Sequence, residues 1–115
     1  MQTLKKARDF DRVFRQGRSV VGQEIILYVL RRPRPGRRVA FCVSKKLGPA
    51  VVRNRMRRRL REVYRLNREK LANRCDLILL ARPATMKAPF QALERTFLHL
   101  AGRAGVLRED APLAS

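Results

Sequence analysis

The stretch Arg53-Asn54-Arg55-Met56-Arg57-Arg58-Arg59-Leu60-Arg61 places six guanidinium groups within nine residues. A guanidinium is permanently charged and planar, and its fork donates two parallel hydrogen bonds that match a phosphate. The chemistry on offer is recognition of phosphate, not bond making. Groups for bond making are sparse. Asp9 and Asp11 would project about 200° apart on a helix. They suit a first turn as dipole partners, whereas a nuclease that binds its own metals needs a cluster of carboxylates. His99 lies opposite the apolar stripe of its helix and reads as a surface residue. Ser19 and Ser44 have no neighbouring base. Cys42 and Cys75 lack CxxC spacing and lie far from His99, so no metal site is expected and both read as reduced thiols.

At about 100° per residue, the segment from about Val51 to Leu71 forms an amphipathic helix. Met56, Leu60, Val63, Tyr64 and Leu71 fall within about 80° of Met56. Asn54, Arg57, Arg58, Arg61, Arg65 and Arg68 occupy the far side, and Arg53 and Arg59 flank the boundary. A solvated face normally mixes signs. Here Arg57/Arg61 and Arg61/Arg65 are like-charge pairs at i,i+4, each costing roughly a few tenths of a kcal/mol. A phosphate partner gives that arrangement its reason. The apolar stripe is needed by a domain core, which argues against a helix lying on a membrane. A helix does not fit the deep major groove of A-form RNA, so RNA would be held by backbone, loops and shape. No Asp or Glu occurs from Ile25 to Arg61, where 13 Lys or Arg do. Lys45, Lys46 and the basic turn at Arg31–Arg37 therefore extend the same positive surface.

The elements that must position this helix are short. Asp9–Arg15 predicts a helix ending near Gly17, with Phe10, Val13 and Phe14 on one side. Glu24–Leu30 and Arg38–Ser44 predict strands, read as an antiparallel hairpin across the Pro- and Gly-containing turn. Within the second strand Val39, Phe41 and Val43 point one way, and the small Ala40, Cys42 and Ser44 the other. Asp76–Ala81 is a nearly continuous apolar run, expected to be a strand buried on both faces. A last helix begins at Pro89 and runs to about Ala104, on a stripe of Phe90, Leu93, Phe97, Leu100 and Ala104. Residues 105–115 read as a frayed tail, which leaves an ordered core of about 4–104. This order predicts an α/β (α+β) two-layer sandwich.

Composition agrees. The chain has 115 residues, 28 Lys and Arg, 9 Asp and Glu, and a net charge of +19. The length fits one domain, and 45% hydrophobic residues can build a core. The charge asks for a polyanion, nucleic acid first and an acidic membrane surface second. There is no run of 18 apolar residues, and no apolar stretch follows Lys5 and Lys6. Neither a spanning helix nor a secretory signal is expected, and a cytoplasmic location is.

Val43-Ser44-Lys45-Lys46-Leu47-Gly48, then Ala50-Val51 and Arg53-Asn54-Arg55-x-Arg57-Arg58-x-x-Arg61-Glu62, resembles the signature of the bacterial ribonuclease P protein subunit. The likeness extends to Leu4, Phe10, Val13 and Gly17, and to Asp76 with Ala81-Arg82-Pro83. Ala40 stands where the family usually has glycine, and Arg57 where it usually has lysine. The resemblance implies a ribonucleoprotein that removes the 5′ leader of precursor tRNA, with the chemistry carried by the RNA subunit and its Mg²⁺. It implies no obligate protein partner. It implies a fold similar to a domain of ribosomal protein S5, with a four-stranded sheet and a left-handed crossover next to the long helix. The fourth strand falls either near Arg18–Gly22 or in a split of the hairpin. The RNA-binding residues implied are Lys45, Lys46, Arg53, Asn54, Arg55, Arg57, Arg58, Arg61, Arg65 and Arg68. The leader would lie in a cleft lined by Phe10, Phe14, Tyr28, Cys42 and Ser44, although Phe10 and Phe14 also suit the core side of a short helix. The rival readings are a structural ribosomal protein, a DNA-binding regulator and a self-sufficient nuclease.

Overall fold

A computed structural model describes residues 1–108. The elements run β1 (Gln2–Thr3), α1 (Ala7–Gln16), β2 (Arg18–Val21), β3 (Ile25–Arg31), β4 (Gly36–Cys42), α2 (Ala50–Asn67), β5 (Arg74–Ala81), α3 (Ala84–Lys87) and α4 (Phe90–Arg103). The strands make one mixed sheet in the order β1-β4-β5-β3-β2. β5 is central. It pairs parallel with β4 and antiparallel with β3.

Alternation along the strands sends two sets of side chains to two unequal layers. Ile25, Leu27, Val29, Val39, Leu77 and Leu79 join Met56, Leu60, Val63 and Tyr64 of α2 and Leu93, Phe97 and Leu100 of α4 in the main core. The opposite face carries only α1. There Leu4, Val13, Ala40 and Ile78 are buried, and Phe10, Tyr28, Leu30 and Cys42 are half-buried against them. The two long helices α2 and α4, with the short α3, on one face and one ten-residue helix on the other leave part of that second face open.

Several expectations change. The strands at Ile25–Arg31 and Gly36–Cys42 are not hairpin partners, because β5 lies between them. A strand as apolar as Leu77-Ile78-Leu79 needs cover on both faces, and the central position supplies most of it. The Pro-containing connection then spans two strand spacings, about 10 Å, so it cannot be a tight turn. The fourth strand is Arg18–Val21. A fifth, Gln2–Thr3, pairs with Arg38 and Val39 of β4, so the sheet has five strands and not four. α2 ends at Asn67, and a 3₁₀ turn over Arg68–Lys70 follows. Leu71 is buried beyond the helix, where it bridges to Leu107. Residues 105–108 are therefore packed rather than frayed: Val106 is buried, and the Arg108 amide donates to the Lys70 carbonyl at 2.8 Å. The rest of the expected tail lies outside the described residues. The short helix α3 carried no clear sequence signal.

Gly17 follows α1 for a steric reason. Its amide caps the helix by donating to the Val13 carbonyl at 2.9 Å. A Cβ there would lie 2.4 Å from that oxygen and 2.8 Å from the Val29 carbonyl oxygen. Only glycine lets the helix end press this closely on β3.

Candidate nucleic-acid interface

The outward face of α2 is built by burial of its opposite stripe. Met56, Leu60, Val63, Tyr64 and Asn67 are buried, which turns Asn54, Arg55, Arg58, Arg61 and Arg65 to solvent. The flanking arginines have local work. Arg53 Nε donates to the Gly48 carbonyl at 3.2 Å and ties the helix to the preceding loop. Arg59 donates to the Ala88 carbonyl and ties it to the segment after α3. Arg57 Nη1 donates to Asn54 Oδ1 at 3.0 Å, so this asparagine orients an arginine fork. Arg61 sits over the Phe41 ring, 5.8 Å from its centroid. The far end of the helix is partly neutralised. Arg65 is paired with Glu62 at 2.5 Å, which pulls the Glu62 carboxyl below its ordinary range. Arg68 lies in the 3₁₀ turn beside Glu69 at 3.7 Å. The uncompensated charge thus concentrates between Arg55 and Arg61. Lys45 and Lys46 are exposed in a 3₁₀ turn just before α2, capped by Ser44, whose hydroxyl accepts from the Lys46 amide at 3.2 Å.

The open face of the sheet lies beside this end of α2. Strand register sorts it into rows. One row runs Ala40, Ile78, Tyr28, Ser19, and α1 covers part of it. The next runs Cys42, Leu80, Ile26, Val21, and these four are half-buried or exposed. Phe10 and Phe14 come down from α1. The Phe14 ring meets Tyr28 edge-on, with centroids 4.8 Å apart, and Phe14 stays 42% exposed. Burial pushes the Cys42 thiol up, while nearby Arg57 pulls it down. Cys42 also ends β4, which leads through Lys45 and Lys46 into α2, so this end of the groove borders the arginine face. Phe10, Phe14, Tyr28 and Cys42 thus come together. Ser44 lies two residues past the end of β4, with its hydroxyl accepting from the Lys46 amide. The sequence reading missed Ile26, Leu80 and Val21 as floor residues. Their signal was the pairing partner of each strand, which a single strand does not carry.

Among the described residues, no three His, Cys, Asp or Glu come together as a metal would require. Asp9 and Asp76 are joined only through Arg38, which pairs with both. His99 is exposed on α4.

A mixed α/β sheet with a guanidinium-faced helix against a partly bare, aromatic-edged groove defines a binder of flexible polyanions. Comparison with known proteins agrees. The family described as Ribonuclease P matches residues 1–105. The chain is 43% identical over 108 residues to the ribonuclease P protein component of Natranaerobius thermophilus, covering 94% of each. It is 40% identical to that of Pelotomaculum thermopropionicum, covering 94% of this chain and 96% of the relative. Its fold superposes on the Staphylococcus aureus RNase P protein with a TM-score of 0.81 at 28% identity, covering 94% and 99% of the two chains. The fold also matches the RNase P protein from Thermotoga maritima, with a TM-score of 0.79 at 23% identity. The chain belongs to the ribonuclease P protein component family. It is the protein subunit of an endoribonuclease that acts in tRNA 5′ processing.

Proposed function

We propose that this chain, as one RNA-binding domain, holds two RNAs against each other. The outward face of α2, with Lys45 and Lys46, binds phosphates of the ribonuclease P RNA and of the strand entering the groove. The groove walled by Phe10, Phe14 and Tyr28 takes the single-stranded 5′ leader of precursor tRNA. The observation that carries this reading is the continuity of the two surfaces: β4 ends at Cys42 on the groove floor and leads through Lys45 and Lys46 directly into the arginine face of α2. Bases stack on any aromatic ring without sequence preference, at about 1–3 kcal/mol each, which suits leaders of varied sequence. Phosphate contacts neutralise repulsion between the RNAs and make affinity fall steeply with salt.

Mg²⁺ belongs with the RNA subunit. The carboxylates here do not fit it, since Asp9 and Asp76 are already matched to Arg38, and no step is assigned to it on this chain. The work of the protein takes place in the cytoplasm, without an obligate protein partner. Among the described residues, no helix is long and apolar enough to cross a membrane.

Reconstitution tests this. Adding the protein to a bacterial ribonuclease P RNA at low Mg²⁺ should switch on leader removal, and the protein without RNA should cleave nothing. No stimulation, or cleavage by the RNA-free protein, would contradict the reading.

A further inference from the structure

α1 divides the open face of the sheet in two. Phe10 and Phe14 face the groove described above. On the other flank, Arg8, Arg12 and Gln16 follow one another at four-residue spacing, about 6 Å apart along the axis. They overhang a separate groove of about 420 Å³, closed below by Arg38 and Asp76 and bounded by the turn that carries Arg32 and Arg34. Six arginines and two aspartates line it, leaving four positive charges in excess.

The floor of this groove is set in place by an ion-pair network. Asp76 is buried, and it accepts from Arg38 Nε at 2.9 Å and from Nη2 at 2.7 Å. Arg38 Nη1 also donates to Asp9 at 3.3 Å, and Arg32 approaches Asp76 at 3.5 Å. A guanidinium has five N–H donors, so Arg38 is fixed in orientation with two of them still to give. Arg8, Arg12 and Arg34 are exposed and make no ion pair among the described residues. Leu30 and Pro33 are the apolar liners and no aromatic ring lines the groove. It therefore offers no aromatic platform for a base and little to an apolar ligand. What it offers is several guanidinium forks along one groove, each able to take a phosphate.

We infer that this second groove, across α1 from the aromatic one, is a phosphate channel for an RNA strand, which it grips by backbone alone. The inference rests on the reading of the chain as an RNA-binding subunit and adds to it a separate, base-blind site. The phosphates belong either to a single strand such as the leader or to the folded RNA subunit.

The test is equilibrium binding of the full-length protein, followed by fluorescence anisotropy over a KCl series. One probe is an oligouridylate of about 15 nucleotides, and the other is a bacterial ribonuclease P RNA. R8Q/R12Q alters two exposed side chains with no ion-pair partner, so the fold should persist, which circular dichroism checks. R95Q/R103Q removes the same charge from exposed positions on α4, on the opposite face of the sheet. Each phosphate contact contributes about 0.7 to 0.9 to the slope of log affinity against log salt. R8Q/R12Q should flatten that slope by about 1 or more and weaken binding about tenfold with at least one probe. R95Q/R103Q should change it by less than half as much. Loss on the oligouridylate assigns the groove to a single strand, and loss confined to the folded RNA assigns it to the RNA subunit. Unchanged binding to both probes, or equal loss in the two variants, would overturn the inference while the RNA-binding reading stands. Failure of the unsubstituted protein to bind either RNA would overturn that reading and this inference with it.

Discussion

Phe14 shows how a single residue divides its duties. Its ring packs edge-on against Tyr28, yet 42% of the residue stays exposed. The uncovered part of the ring lies at the edge of the groove, where the proposed leader would reach it. Phe14→Ala should therefore cost about 1–2 kcal/mol of stability, from the ring pair and the covered part of the ring, well below the about 3–5 kcal/mol of a fully buried Phe. It should also lose about 1–3 kcal/mol of leader affinity. Titrating the holoenzyme with precursor tRNA, alongside a thermal melt of the free protein, checks both. A large melting shift with unchanged leader affinity would return Phe14 to the core. At this scale much of the candidate interface was legible. The 100° spacing separated Asn54, Arg58 and Arg61 from Met56 and Leu60 correctly, since burial alone decides that split. It did not reveal that Arg53 and Arg59 brace the helix against Gly48 and Ala88, because those carbonyls belong to other segments. The Glu62–Arg65 pair that quiets the far end of the helix did have a signal, an acid three residues before a base.

Elements were legible singly and less so in combination. The three longest strands, α1, α2 and α4 all lie where periodicity and end signals place them, to within a few residues. Pairing was not legible, because hairpin proximity and central burial competed for β3 and β4. Burial won through the apolar density of β5. That outcome positions the candidate interface. With β5 central and β4 outside it, the end of β4 delivers the chain to Lys45, Lys46 and α2 beside the open rows of the sheet. The position of α1 over those rows depends on Gly17, whose missing Cβ lets the helix end touch β3. Gly17→Ala forces two backbone oxygens apart and should cost about 1–3 kcal/mol, the usual range for overpacking. Chemical denaturation should show it as a lower midpoint at unchanged slope. A midpoint equal to that of the unsubstituted protein would mean that α1 sits less tightly than described.

For the whole molecule, +19 on 115 residues is a statement about partners rather than about fold. The structure divides that charge among the helix face, the basic turn and the flank of α1, pairs Arg38 inward to Asp9 and Asp76, and pairs Arg37 with the exposed Glu69. Stability should respond to alkali through the buried thiol. Burial pushes Cys75 up to about 11, against about 9 for a free thiol. The folded state thus holds a proton that the unfolded chain releases earlier. The contribution is full below about pH 9 and is lost as pH rises through about 11. It amounts to about 2–3 kcal/mol from this group. Burial pushes Tyr64 up as well, and so adds in the same direction. Denaturation midpoints measured from pH 8 to 11 should fall, and Cys75→Ala should flatten the fall. A flat profile in the unsubstituted protein would contradict this.

The central claim is that the aromatic groove and the arginine face together hold a leader that mature tRNA lacks. The most direct measurement compares the affinity of the reconstituted holoenzyme for precursor tRNA and for mature tRNA at one salt concentration. The claim predicts tighter binding of the precursor, by a margin that narrows in Phe14→Ala. Equal affinity for the two tRNAs would contradict it.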